Sequence, residues 1–319
     1  MNILIIQSRM GIGDMVIFLP YIEAISKKYN TSVTLLVKKS SKSNEILNNN
    51  EYIKKLIILD REDSGGKHDG LLGTLKLSAE LKKNKFDKAF IFNSSLRFNI
   101  ICRLSAIKEI YQYPLFKKRN QHLINTAKEF LKKKLNLDVE SNPQISIDPK
   151  LVEKYKKKFE MNEKKINILL GIGGSGPTKR IPAKTFIKFM RIVSKKYDCR
   201  FFLATGKSED EQSILNEILN TELNSKWVSL DNLTIQKILP IIKNCNISIC
   251  NDSSFSHLSA ALKIKTIVLM ADTPLIYGNY SPKMFPVIPD GFINVTHNTN
   301  GKEKINPDKI FQKYEEIIN

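Results

Sequence analysis

Asp14 is the side chain in this sequence best placed to act as an acid or a base. It follows the short apolar run Ile3–Ile6 and sits beside two glycines, Gly11 and Gly13, where a helical pattern begins. Glycine lets a backbone approach a ligand closely, and the free amides of a helix N-terminus favour negative charge. The segment therefore predicts a site where Asp14 handles a proton and Gly13 lies near a phosphate. A simple helix cap is the other interpretation of Asp14.

A second loop is rich in glycine and also follows a strand pattern. Residues 171–182 read GIGGSGPTKRIP and follow the predicted strand Ile166–Ile172. The loop amides, the hydroxyls of Ser175 and Thr178 and the ammonium group of Lys179 suit a diphosphate. No GKS or GKT ends the loop, so it is not a Walker loop. A flexible glycine connector is the alternative interpretation.

A third loop, residues 249–258, reads ICNDSSFSHL and leads from a buried strand into a helix. Asp252 falls at the end of the strand, and Ser253 and Ser254 fall where the helix amides have no partners. His257 is expected in the first turn of that helix. These residues predict contacts to a phosphate-bearing ligand, although Asp252 could be a cap and a single histidine is often structural.

Strand and helix patterns alternate along the whole chain, which predicts parallel sheets covered by helices on both faces. All three loops follow strands, at the edge where open α/β sheets bind ligands. The pattern restarts after a polar connector near residues 162–165, so we expect two doubly wound domains, 1–162 and 163–319. The final helix could pack back on the first domain. The predicted strands are Ile3–Ile6, Val33–Val37, Leu56–Leu59, Lys88–Phe92, Ile166–Ile172, Phe201–Ala204, Trp227–Leu230, Ile247–Cys250 and Thr266–Met270, and the predicted helices are Met15–Tyr29, Asn120–Leu135, one ending near Glu160, Pro182–Lys196 and Pro307–Ile318.

The chain carries a strong positive charge. The chain of 319 residues has a net charge of +19, of which +13 lies in the residues up to Glu160. This excess indicates an anionic partner such as a glycolipid or an acidic membrane surface, or it merely keeps the surface solvated. The four cysteines form no CxxC pair, which favours reduced thiols and argues against zinc. With no secretory signal pattern and no apolar run of about 18 residues, we expect a cytoplasmic protein.

Taken together, the three loops resemble those of glycosyltransferase family 9, the heptosyltransferases of lipopolysaccharide core assembly. The resemblance rests on Gly11-x-Gly13-Asp14 followed by Pro20, on residues 178–182 (TKRIP), and on residues 251–262 with Tyr277-Gly278. It implies a GT-B fold, in which two Rossmann-like domains face a cleft. It also implies an inverting, metal-independent transferase that needs no cofactor and uses a nucleotide-sugar donor.

The resemblance also implies roles for individual residues. Asp14 would take the proton from the acceptor hydroxyl, and Lys179, with Ser175 and Thr178, would hold the leaving diphosphate. The remaining donor contacts would come from Asp252, Ser253, Ser254 and His257. The ribose carboxylate would come from the acidic stretch 209–211, for which we take Glu209. Ser254 stands where the family usually has glycine, which bears on donor choice. We expect heptose transfer from ADP-heptose to an anionic glycolipid or oligosaccharide acceptor, and the basic first half would allow peripheral contact with the inner membrane.

Two other functions fit parts of the sequence. The Gly11-x-Gly13 loop could bind NADPH in an oxidoreductase. However, Val16 replaces the third glycine or alanine of the dinucleotide-binding fingerprint, and Lys38 and Lys39 stand where an acidic residue would hold the ribose. The positive charge could serve a non-enzymatic binder of an anionic polymer. Nucleic acid is not an expected partner, because the basic runs lack interleaved aromatic residues and any recognised nucleic-acid motif.

Overall fold

Buried aliphatic runs form the centres of two parallel sheets in this computed structural model, which describes residues 1–61, 65–115, 122–162, 164–223 and 226–318. The chain divides into Met1–Pro143 and Gln144–Asn319, called the N-terminal and C-terminal domains below. Each has one sheet flanked by helices, so the expected pair of doubly wound α/β domains is confirmed. No helix in the described ranges is long and apolar enough to cross a bilayer.

The N-terminal sheet has the strand order β3-β2-β1-β4-β5, with parallel pairing throughout. Its central strand β1 is buried at all five positions because sheet neighbours and helices cover it on every side. The strands are β1 (Ile3–Gln7), β2 (Val33–Lys38), β3 (Ile53–Leu59), β4 (Lys88–Ile91) and β5 (Glu109–Gln112). The helices are α1 (Ile12–Lys28), α2 (Ser43–Ile46), α3 (Gly70–Lys82), α4 (Leu96–Leu104) and α5 (Leu123–Leu135).

The C-terminal sheet has the order β11-β10-β9-β6-β7-β8 and is likewise parallel. The order reverses between β6 and β9, which places the loops after these two strands at the switch point where such sheets bind ligands. The strands are β6 (Ile166–Gly171), β7 (Cys199–Ala204), β8 (Trp227–Ser229), β9 (Ile247–Asn251), β10 (Lys265–Leu269) and β11 (Met284–Val287). The helices are α6 (Pro149–Lys158), α7 (Ala183–Lys196), α8 (Glu209–Leu219), α9 (Ile235–Lys243), α10 (Ser254–Ala261), α11 (Ile276–Asn279) and α12 (Pro307–Ile318).

The domain division falls about twenty residues before the 162/163 boundary predicted from the sequence. Helix α6 lies with the C-terminal domain, where the side-chain amide of Asn244 donates to the carbonyl of Val152 at 2.9 Å. Arg200 Nη1 likewise donates to the carbonyl of Phe159 at 2.5 Å. The polar connector that suggested the boundary therefore follows a helix that already belongs to the second domain.

The final helix packs within the C-terminal domain. Tyr314 of α12 is fully buried and meets the ring of Phe189 of α7 in an edge-on contact at 6.1 Å. Lys196 Nζ lies 2.5 Å from Glu315 Oε2 at the same contact. The apolar stripe of α12 completes the core of the C-terminal sheet.

Two edge strands, β5 and β11, and two surface helices were not predicted from the sequence. Strand β5 has the sequence EIYQ and β11 has MFPV, with Pro286 inside it, so neither shows a long apolar run. Proline is tolerated at a sheet edge, where one side of the strand needs no partner. Helices α3 and α4 were not predicted. Helix α5 begins at Leu123, and the first two residues of the predicted stretch, Asn120 and Gln121, lie outside the described residues.

Candidate active site

Asp14 lies at the third position of α1, directly after strand β1 and its loop. Gly11 is the N-cap residue, and its N–H donates to Asp14 Oδ2 at 3.4 Å. Arg9 Nε donates to the other oxygen, Oδ1, at 3.3 Å. The carboxylate therefore caps the helix from inside its first turn and is not the N-cap residue itself. It keeps 26% of its side-chain surface open, so a substrate hydroxyl could reach it.

Arg9 was missed by the sequence reasoning, although it stands five residues before Asp14 in the same loop. Its guanidinium group is a fixed cation beside the proposed base. Gly13 is the second residue of α1, so it belongs to the N-terminal domain, whereas the other predicted phosphate contacts belong to the C-terminal domain.

The second and third loops meet at the carboxyl edge of the C-terminal sheet. Lys179 Nζ lies 2.9 Å from Asp252 Oδ2, and the side chains keep 29% and 4% of their surface exposed. The side-chain amide of Asn251 donates to the carbonyl of Ile172 at 2.7 Å, which ties the end of β9 to the end of β6. The structure thus joins two loops separated by more than seventy residues into one cluster, as the sequence predicted for strand ends of a parallel sheet.

The charge of Asp252 depends on its two neighbours. Burial raises the pKa of this carboxyl, but the ammonium of Lys179 and, to a smaller extent, His257 outweigh burial and hold the pKa below its usual value. His257 Nε2 lies 3.8 Å from Asp252 Oδ1. The carboxylate is therefore ionised at neutral pH and keeps a lysine and a histidine oriented at the sheet edge.

Tyr280 holds the other side of the histidine ring. Its hydroxyl is 2.9 Å from His257 Nδ1, and the two rings stack with centroids 5.7 Å apart. His257 is buried in the first turn of α10. A ring with both nitrogens facing polar groups has a fixed orientation. Sequence reasoning did not single out Tyr280, since it lies twenty-three residues away on a different segment.

Among the acidic residues at the start of α8, Glu211 contacts the second loop. The Glu209 side chain is exposed at the start of α8. By contrast, Glu211 Oε1 accepts the N–H of Gly174 at 2.9 Å and that of Gly206 at 3.3 Å. Its second oxygen accepts the hydroxyl of Ser208 at 2.7 Å. The Ser-x-x-Glu spacing of a capping box was the signal that could have found it.

Gly173 of the second loop and Gly206 after β7 both lie close to this carboxylate. A Cβ built on Gly206 would lie 2.3 Å from Glu211 Oε2, and one on Gly173 would lie 2.6 Å from Glu211 Oε1. A side chain at either position would require the Glu211 carboxylate to move. Gly176, in contrast, would bring its Cβ no closer than 3.7 Å to Lys179. The first two glycines let the loop close over a carboxylate, and the third lies in more open space.

The serine hydroxyls that were predicted to contact the donor differ in their burial. Ser253 is the N-cap residue of α10, and its buried Oγ has no hydrogen-bond partner within the described part of the chain. Ser254, the first residue of α10, is half-buried, and Ser175 is exposed. An unpaired buried hydroxyl at a helix N-terminus is costly, and a bound phosphate oxygen would satisfy it.

Thr178 is engaged with a neighbouring carboxylate. Burial raises the pKa of Asp272, but bonds from the backbone N–H of Asn300 and the hydroxyl of Thr178 outweigh burial and lower the pKa. The Asn300 N–H lies 2.7 Å from Asp272 Oδ1. Lys302 Nζ donates to the carbonyl of Pro177 at 3.2 Å. The second loop is thus held from the segment after β11, a contact that the sequence did not reveal.

The described residues contain no group of three or more His, Cys, Asp or Glu side chains that could hold a metal ion. The four cysteines are buried as free thiols.

Comparison with known proteins gives consistent matches. The sequence model of the family described as "Glycosyltransferase family 9 (heptosyltransferase)" matches residues 74–315. The chain is similar to a lipooligosaccharide heptosyltransferase 2 of Campylobacter jejuni, with 30% identity over 205 residues that cover 62% of this chain and 61% of that protein. A second C. jejuni protein of that name is 28% identical over 270 residues, or 82% of this chain and 79% of the relative.

A solved structure extends the likeness to the whole fold. The E. coli ADP-heptose lipopolysaccharide heptosyltransferase II has a TM-score of 0.74 to this protein, with 16% identity and coverage of 100% of this chain and 98% of that one. At this identity the likeness shows the fold alone. The two Rossmann-like domains are those of the GT-B class.

Proposed function

Because this chain belongs to glycosyltransferase family 9, we propose that it transfers a heptose from ADP-heptose to a lipopolysaccharide core or a related surface glycan. The names of the Campylobacter relatives support the sugar and the acceptor class. The observation that carries the proposal is the pairing of Lys179 with Asp252 beside His257 at the switch point of the C-terminal sheet. An ammonium group held there can meet a nucleotide diphosphate.

The leaving diphosphate gains negative charge as the sugar departs, so groups that stabilise it act mainly in the transition state. In our proposal Lys179 supplies the positive charge, and the unpaired Oγ of Ser253 and the N-terminal amides of α10 supply hydrogen bonds. The hydroxyls of Thr178 and Ser175 contact the diphosphate from the second loop. Asp252, with His257, orients the lysine, and Ser254 lies next to the sugar.

The nucleoside end of the donor would lie towards α8. Glu211 lies under the second loop, with its two oxygens on the backbone of Gly174 and the hydroxyl of Ser208. A carboxylate in this place can accept bonds from a ribose diol. We therefore assign the predicted ribose contact to Glu211 and not to the exposed Glu209.

We propose Asp14 as the general base, which takes the proton of the acceptor hydroxyl while that oxygen attacks the anomeric carbon. Attack from the face opposite the leaving diphosphate inverts the anomeric centre. The neighbouring Arg9 donates to Oδ1 and orients the carboxylate for the acceptor hydroxyl. The reaction as proposed needs neither metal nor cofactor, because side chains and helix amides stabilise the leaving group.

The proposal is tested with purified protein, ADP-heptose and a heptose-deficient lipopolysaccharide, with and without EDTA. Transfer that persists in EDTA and yields the inverted anomer by NMR supports it. A thermal-shift series with ADP-, GDP-, UDP- and CMP-sugars identifies the donor separately, because a ligand raises the melting temperature by mass action. Stabilisation by another nucleotide sugar alone, with no turnover of ADP-heptose, would contradict the donor assignment.

Asp14→Asn tests the base. We expect normal donor binding and a loss of transfer of at least about a hundredfold, in the range assigned to general-base catalysis. Glu23→Gln is the matched control, since Glu23 is a carboxylate on the same helix, paired with Lys27 on the surface. Full turnover by Asp14→Asn would remove Asp14 from the mechanism.

A further inference from the structure

Two helices of the N-terminal domain expose an unusual number of large aliphatic side chains. Helix α3 exposes three leucines and α4 three further aliphatic residues. They are Leu71 (87% exposed), Leu72 (74%), Leu75 (56%), Leu96 (40%), Ile100 (40%) and Leu104 (48%). We call these six residues the leucine face. Single exposed aliphatic residues are common, but a contiguous set marks an interaction surface.

The two helices lie side by side and run in the same direction. Near their N-terminal ends, Arg97 Nε of α4 donates to Thr74 Oγ1 of α3 at 3.0 Å. Immediately beyond the end of α4, the hydroxyl of Ser105 donates to the carbonyl of Ser78 at 3.0 Å. Contacts in this order require parallel helices.

The exposed residues of both helices border this line of contact. On α3, Leu71 and Leu75 lie next to Thr74 on the side of the helix that turns away from the sheet. On α4, Ile100 and Leu104 lie next to Arg97 on the corresponding side. The opposite side of each helix is buried against the sheet. The leucine face is therefore one surface built from two helices.

The positive charge of the same helices indicates an anionic partner. They carry Lys76, Lys82, Arg97 and Arg103, and their one acidic residue, Glu80, is engaged by His68 at 3.2 Å on the far side of α3. A second copy of this surface would be repelled by like charge. An anionic bilayer accepts both features, because leucines can enter the headgroup region while lysines stay at the level of the lipid phosphates.

We propose that the leucine face docks this protein on an anionic membrane surface, with Leu71, Leu72 and Leu75 inserted among the lipid headgroups. The N-terminal turn of α3 carries the most exposed of these residues and would enter deepest. This inference does not depend on which sugar or acceptor the enzyme uses. It concerns how the protein is held at a lipid surface.

The test is sedimentation of the full chain with vesicles of phosphatidylcholine, with or without phosphatidylglycerol. We expect binding that requires the anionic lipid. Joint replacement of Leu71, Leu72 and Leu75 by serine should weaken it by at least about tenfold, since each aliphatic group contributes through buried area. The control is Ile293→Ser, which removes a fully exposed aliphatic residue from the C-terminal domain.

The charge is tested by Lys76→Gln with Lys82→Gln, which should weaken vesicle binding by about fivefold per lysine and make the remainder less sensitive to salt. Lys154→Gln with Lys158→Gln on α6 removes two exposed lysines elsewhere and serves as the control. Because all altered side chains are exposed, thermal unfolding should be unchanged. Transfer to a de-acylated, soluble acceptor should also be unchanged, which separates docking from chemistry.

Three results would overturn the proposal. The first is vesicle binding by the triple serine variant equal to that of the parent protein. The second is equal binding to neutral and anionic vesicles. The third is no vesicle binding by the parent protein, together with a concentration-dependent dimer that the triple variant loses, which would assign the leucine face to a second copy of the chain.

Discussion

Replacing Lys179 by methionine should destabilise the C-terminal domain as well as stop transfer. The change keeps a long unbranched side chain but removes the ammonium that lies 2.9 Å from Asp252. Asp252 keeps only 4% of its side chain exposed, so water cannot replace the lost partner. The carboxylate must then remain as an unpaired buried charge or take up a proton, and both cost folding free energy.

The structure sets the size of this effect. Removing one partner of a fully buried ion pair costs about 3–5 kcal/mol. Because Lys179 is 29% exposed, part of the attraction is already screened by solvent, and we expect a loss of about 2–3 kcal/mol. For a domain of this size that is a fall in melting temperature of about 4–12 °C.

The assay can be confined to one domain. Trp227 is the only tryptophan of the chain and lies in β8, so its fluorescence reports unfolding of the C-terminal domain. The double variant Lys179→Met with Asp252→Asn should recover at least half of the lost stability, because no charge is left buried. Its transfer activity should remain at least about a hundredfold low, since the leaving diphosphate has lost its cation.

The pH dependence of the free energy of unfolding gives an independent test of the Lys179–Asp252 pair. The folded-state pKa of Asp252 lies below its unfolded value of about 3.9, so the stabilisation is present above that pH and is lost as the pH falls through the folded pKa. In Lys179→Met the folded pKa rises, and the loss should begin at a higher pH. Unfolding curves of Lys179→Met and the parent protein that coincide at neutral and acid pH would refute the reasoning.

Two further substitutions test how the loops are held. Gly206→Ala should cost about 1–3 kcal/mol and weaken nucleotide binding, because its Cβ would lie 2.3 Å from Glu211; Gly176→Ala is the control, and equal effects in the two variants would count against the contact. Tyr280→Phe keeps the ring but loses the hydroxyl on His257 Nδ1, and we expect kcat/KM for the donor to fall by about twofold to tenfold. An unchanged kcat/KM would show that this bond does not position the histidine.

Much of the fold could be predicted from local patterns. The central strands are continuous aliphatic runs, so β1, β2, β6, β7, β9 and β10 were recognised within one or two residues. The edge strands β5 and β11 and the exposed helices α3 and α4 were missed, because they carry mixed sequences and bury less surface. The boundary between the domains was predicted too late, because whether α6 packs on one sheet or the other is decided by contacts such as Asn244 to Val152.

The family was also determined by sequence. Three short loops, each with glycine, serine or aspartate at fixed places after a strand, indicated glycosyltransferase family 9, and the match over residues 74–315 confirms it. Membership in a glycosyltransferase family sets aside the oxidoreductase and the non-enzymatic polymer binder. The roles of Asp14, Lys179 and the other site residues stay predictions that the proposed variants test.

What only the tertiary structure decided is which side chains meet. The sequence determined that Lys179 and Asp252 each follow a strand, but their ion pair depends on β6 and β9 being neighbours in the sheet. The contact of Glu211 with Gly174 depends on which face of α8 turns towards the second loop. The contact of Tyr280 with His257 joins segments with no common pattern. Local sequence fixes the period and the ends of an element, because those depend on neighbouring residues, whereas pairing across elements depends on strand order and helix rotation, which the whole core determines.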